Sequence, residues 1–147
     1  MGLSLMVACV SKTPSRQINQ MQKRLNVVER RVEVLYNQEF SDLVKDYQAL
    51  DTTLARTKNI NNEMDLLQAY LQQFETQRVV IKENIKFSRQ QLSDLKEDVE
   101  NHLYDEATTA KYISDEENEL RKMEAQIKYF QEKFDAQKKV VKRLRKE

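Results

Sequence analysis

Cys9 is the only thiol in the chain and His102 the only imidazole. A cysteine nucleophile needs a base within hydrogen-bond reach, and nothing in the sequence brings these two residues together. His102 falls near a seam position at the end of a helical stretch, where packing or capping is its expected role. Ten acidic and two basic side chains lie between Asp94 and Glu119. They lack the glycine-turned loop that fixes calcium ligands, so they read as a solvated face or as a partner for basic side chains. Lys138, Lys139, Lys142, Arg143, Arg145 and Lys146 could meet phosphate. Basic residues also suit a helix C-terminus, and no interleaved aromatics offer base stacking, so no nucleic-acid partner is read. No catalytic set, metal site or cofactor site is expected.

Cys9 has a second kind of chemistry available, which is acylation. It ends the apolar run Gly2-Leu3-Ser4-Leu5-Met6-Val7-Ala8 and is followed by the polar stretch Ser11-Lys12-Thr13-Pro14-Ser15. Leu5-Met6-Val7-Ala8-Cys9 resembles the lipobox of bacterial lipoproteins. That resemblance implies cleavage before Cys9, lipid on its sulfur, and Cys9 as the mature N-terminus. It makes residues 1–9 the remnant of a signal peptide and residues 10–16 a polar tether. Val10 stands where similar lipoproteins carry the aspartate of inner-membrane retention, which implies an outer-membrane anchor facing the periplasm. The membrane would then be a partner through the lipid on Cys9. The alternative is a cytoplasmic coiled-coil adaptor without lipid. N-myristoylation is set aside because position 6 is Met rather than Ser or Thr.

The elements that carry these residues are helical. The chain has 147 residues with one Gly, one Pro and no Trp, and a third of it is charged. A mixed or β domain of this length would contain many more turn residues. A net charge of +1 points to no polyanionic partner. No apolar run reaches the ~18 residues of a membrane span.

Apolar residues recur at three- and four-residue spacing. Ile18, Met21, Leu25, Val28, Val32 and Leu35 form one seam. The phase then slips by one to Tyr36, Phe40, Leu43, Tyr47, Leu50 and Leu54, a slip that changes the supercoil locally without ending the helix. Thr and Asn cluster at 52–62 and predict a turn near Lys58–Asn62. The seam resumes as Met64, Leu67, Leu71, Phe74, Arg78, Ile81, Ile85, Ser88, Leu92, Leu95 and Val99. A second break is expected at Asp105–Ser114, because Ser114 and Glu117 form a capping-box pattern. The last seam runs Leu120, Met123, Ile127, Phe130, Phe134, Gln137, Val141, Leu144.

The reading is an all-α fold: an antiparallel helical hairpin, or an elongated three-helix coiled-coil bundle. Residues 17–147 form the helical domain, with helices at about 16–57, 62–104 and 114–146. Folding about Thr109 opposes residues whose numbers sum to 218 or 219, so Leu92 should meet Ile127 and Ile85 should meet Phe134. The first helix folds back onto the second with sums of 114. That fold brings basic Arg16, Lys23, Arg24, Arg30 and Arg31 beside the acidic Asp94–Glu119 end. Val27, Val34, Val44, Leu66, Tyr70, Val80, Phe87 and Tyr129 lie off the seams. Core packing is their expected role, with a protein partner or a homo-oligomer through the helical faces as the alternative. Functionally, this describes an envelope spacer, scaffold or interaction protein, and not an enzyme. A periplasmic chaperone-like binding module is the second reading.

Overall fold

A computed structural model of the protein describes residues 13–50 and 61–146. Cys9, the leader and residues 10–12 of the tether lie outside these residues, and the rest of the tether, from Pro14, is already helical. The turn expected near Lys58–Asn62 also lies outside them, apart from Asn61 and Asn62, which are already helical.

Helix α1 spans Pro14–Val34 and opens on proline at its first position. Proline suits that place because its fixed φ is helical and its missing N–H would have had no partner there. Leu35–Phe40 follows as a π-helical turn, and α2 spans Ser41–Gln48. This π turn sits where the seam slips by one residue. A π turn holds one more residue than an α turn, so consecutive Leu35 and Tyr36 both point inward, each 1% exposed. Beyond the turn, Phe40, Leu43 and Leu50 continue the core stripe. The described part of the first helical run ends at Gln48, and the expected end at residue 57 lies outside the described residues.

Helix α3 spans Asn61–Glu100 and α4 spans Glu106–Leu144. At 1.5 Å per residue these 40- and 39-residue helices are each roughly 60 Å long. Both pack against α1 and against each other. Cross-helix bonds give the directions. Tyr36 bonds to Phe74, Asn37 to Arg78, and Asn26 and Glu29 to Arg89, so α1 and α3 run antiparallel. Partner numbers fall on both sides of the expected sum of 114. Arg24 meets Glu117 and Glu124, and Glu39 meets Lys138, so α1 and α4 run parallel. The result is an up-down-up three-helix bundle.

The α3–α4 turn differs from expectation. α3 ends in a Schellman arrangement: Leu103 N–H donates to Asp98 C=O at 3.0 Å and His102 N–H to Val99 C=O at 3.2 Å. His102 takes the left-handed conformation, φ 55°, that this ending requires. Asp105 caps α4, its side chain accepting from Thr108 N–H at 2.7 Å. Ser114 lies inside α4. Aspartate caps as well as serine, and here it follows directly on the reversed chain. Thr108 and Thr109 then occupy the first turn, with Thr109 buried.

Moving the pivot from Thr109 to the 101–105 turn slides the whole α3–α4 register. Arg143 meets Glu63, Gln126 meets Gln77, and Phe134 meets Phe74 rather than Ile85. These partners sum to between 203 and 208, so Leu92 does not oppose Ile127. Heptad seams match themselves again after a slide, so periodicity alone does not choose among registers. The turn chemistry and an aromatic cluster do. Tyr36, Phe40, Phe74, Phe130 and Phe134 interlock edge-on or stacked toward the end of the bundle where α3 begins, with centroids 4.6–6.4 Å apart. The Tyr36 hydroxyl donates to Phe74 C=O at 3.0 Å. Among the described residues no buried side-chain polar atom lacks a hydrogen-bond partner.

The off-seam residues divide. Val44 and Tyr70 pack against the core. Val27, Val34, Leu66, Val80, Phe87 and Tyr129 are 43–66% exposed, against the expectation of core packing. Three helices already close their own seams, so no fourth surface within the described residues covers these positions.

Candidate interaction surface

The basic start of α1 does face the acidic side of α4, and one residue makes the connection. Arg24 Nε and Nη2 grip Glu124 at 3.0 and 2.8 Å, while Nη1 reaches Glu117 at 2.7 and 2.9 Å. Hydrogen bonds to Glu124, then to Glu117, raise the Arg24 pKa above its ordinary value. Partial burial pushes the Glu117 carboxyl up, but Arg24 and Arg121 outweigh it and hold the group below its usual range. Farther along the same seam Glu39 accepts from Lys138 at 2.9 Å and from Gln131 at 2.7 Å, and Asp46 pairs with Arg145 at 2.9 Å. Three of the six C-terminal basic residues are thus engaged within the bundle: Lys138, Arg143 and Arg145.

Between the Arg24 and Glu39 clamps the α1–α4 seam opens into a groove of about 980 Å³. Its floor is Val28, Leu35 and Ile127, all buried. One bank carries Val27 and Val34, one heptad apart and about half exposed, with Arg30 and Arg31. The other carries Ala125, Lys128 and Glu132. Ala125 ends at Cβ and leaves that bank low. Arg30, Arg31 and Lys128 make no ion pair among the described residues. Of the basic residues expected beside the acidic end, Arg24 makes the pairs and Arg30 and Arg31 do not, among the described residues. The valine spacing was the signal in the sequence. What periodicity could not tell was whether a third helix would cover it.

The remaining candidates are structural. His102 is exposed and serves as the reversed residue of the α3 ending. Within the acidic stretch, Asp98 accepts from the Tyr104 hydroxyl at 2.9 Å, Asp105 caps α4, and Glu117 holds Arg24. The Asp105 carboxyl is held below its ordinary pKa by its bonds to Thr108. Glu116 is pushed up by burial and by its neighbours Glu119 and Asp115. Among the described residues no three His, Cys, Asp or Glu side chains are grouped to hold a metal ion. No described helix is long and apolar enough to cross a membrane.

No protein-family model, curated protein or solved structure matches the chain.

Proposed function

We propose that this chain is a lipid-anchored spacer or scaffold of a bacterial envelope, held at the outer membrane through lipid on Cys9 and facing the periplasm. The observation that carries the reading is the lipobox-like run Leu5-Met6-Val7-Ala8-Cys9, followed by a polar tether of a few residues and then by a helical rod. The closed bundle fits it. All three apolar seams are buried, and cross-helix ion pairs tie α1 to both other helices. Such a rod keeps its length without a partner, which is what spacing requires. The role asks for reach and rigidity and assigns no catalysis to the chain.

A second role, gripping a partner, is favoured by the open α1–α4 groove. A spacer needs no such groove, whereas a binding module does. The two roles are compatible in one anchored protein.

The anchor is tested by metabolic labelling. A palmitate analogue supplied to a bacterial host expressing the full-length chain should mark the protein, and Cys9→Ser should abolish the mark. The labelled protein should sediment with outer-membrane vesicles, because two acyl chains hold a protein stably where one does not. Equal labelling of both forms would refute the anchor and leave the cytoplasmic adaptor reading.

A further inference from the structure

We propose that the α1–α4 groove is a docking site for an acidic amphipathic helix of a partner protein, an inference independent of the lipid on Cys9. The apolar part of the argument is geometric. Val27 and Val34 stand seven residues apart on α1, about 10 Å along the axis, beside a floor of Val28, Leu35 and Ile127. A helix laid along the groove presents apolar side chains at that same spacing. The floor is sealed, its residues being 1–5% exposed. A lipid chain would find no tunnel there, whereas a helix needs only a shallow trough.

The electrostatic part comes from a contrast within one seam. On either side of the groove three cations reach across the seam between the first helical run and α4 to carboxylates: Arg24 to Glu117 and Glu124, Lys138 to Glu39, Arg145 to Asp46. In the groove, Arg30, Arg31 and Lys128 have none among the described residues. Of the two carboxylates that line it, Glu124 already belongs to Arg24, which leaves Glu132 against three cations. The missing counter-charge is negative, and it flanks the apolar stripe on both banks. A ligand helix with leucines on one face and glutamates along that face's margins supplies both halves. Arginine-rich rims with apolar centres are the usual make-up of such surfaces.

The test uses the full-length chain and a synthetic helical peptide of about five turns, ~18 residues. The peptide carries leucines seven apart and glutamates at the flanking positions. Its counterpart has every glutamate replaced by lysine. Fluorescence anisotropy should show the acidic peptide binding, more weakly as salt is raised, and the lysine peptide binding at least tenfold less well. Arg30→Glu with Arg31→Glu, and separately Val34→Glu, should each weaken binding at least tenfold. Their melting curves should stay close to that of the native chain, since these side chains are exposed. Amide chemical-shift changes should fall on 27–35 and 124–132. The proposal is overturned if the lysine peptide binds as well as the acidic one, or if no binding occurs at hundreds of micromolar peptide. It is overturned in favour of a second copy if the native chain sediments as a dimer that Val34→Glu dissociates. It is overturned in favour of lipid headgroups if anionic phosphatidylglycerol vesicles, and not the peptide, bind the native chain and fail to bind the arginine variant.

Discussion

Replacing Phe134 by alanine should destabilise the bundle at its aromatic cluster. Phe134 is fully buried, and its ring lies 4.6 Å from Phe74, 5.5 Å from Phe40 and 5.6 Å from Tyr36. Buried Phe→Ala changes cost ~3–5 kcal/mol, because the surrounding side chains only partly refill the space. For a domain of this size each kcal/mol moves the midpoint by about 2–4 °C, so melting should fall by roughly 6–20 °C. The sharper form of the test is a double-mutant cycle followed by circular dichroism in urea. Phe74→Leu and Phe134→Leu together should show a coupling of ~0.5–1.5 kcal/mol, the amount an edge-on aromatic pair contributes beyond its area. Ile85→Val with Phe134→Leu should be additive within ~0.5 kcal/mol, as expected for residues that do not touch. Coupling to Ile85 instead of Phe74 would refute the register and restore the pivot at Thr109.

Two further predictions concern single groups. Burial, then the nearby Glu75, raises the Tyr36 phenol to about 12. The unfolded chain therefore ionises first, and the stability that neutral Tyr36 contributes is complete below pH 10 and lost between about 10 and 12. Thermal melts across that range should show a decline that Tyr36→Phe reduces, and at neutral pH Tyr36→Phe should cost ~0.5–1.5 kcal/mol for the lost bond to Phe74 C=O. At the α3–α4 turn, Asp105→Ala should lower the melting temperature while Ser114→Ala leaves it nearly unchanged. His102→Gly should raise it, by relieving a left-handed residue at a cost on the order of 1 kcal/mol. A drop with Ser114→Ala would return the helix start to the capping-box pattern.

The helical class, the three seams and the fold-back of α1 onto α3 were legible because each rests on apolar spacing and side-chain sign, both local properties. The slip at Leu35–Tyr36 was legible too, and its physical form is a π turn. The α3–α4 register was not. The Ser114–Glu117 pattern pointed to a start for α4 well past the one that Asp105 caps. The earlier start depends on His102 accepting a left-handed backbone, which the residue type permits without announcing. Once the pivot was misplaced, a repeating seam offered no contradiction, and only the shape of the phenylalanine cluster does. The exposure of Val27 and Val34 was illegible for a related reason. Off-seam apolar residues demand a neighbour, and periodicity does not say whether that neighbour lies in the same chain.

The extra residue at the π turn acts as a vernier. Without it the seam from Ile18 to Leu35 would run on in ordinary heptads, because deleting one residue, Asn37 for example, puts Phe40 four places after Leu35. The helix would survive such a deletion and become more regular. What it would lose is Tyr36, which an α turn holds at the margin of the seam and the π turn brings into the core beside Leu35. The rings of Phe74 and Phe134 would then face a void, and Arg78, whose guanidinium sits 5.6 Å above the Tyr36 ring, would lose its platform. An irregularity one residue long thus sets how many aromatic side chains the core can hold at this level. Lineages that gain or drop that residue should change their core side chains with it.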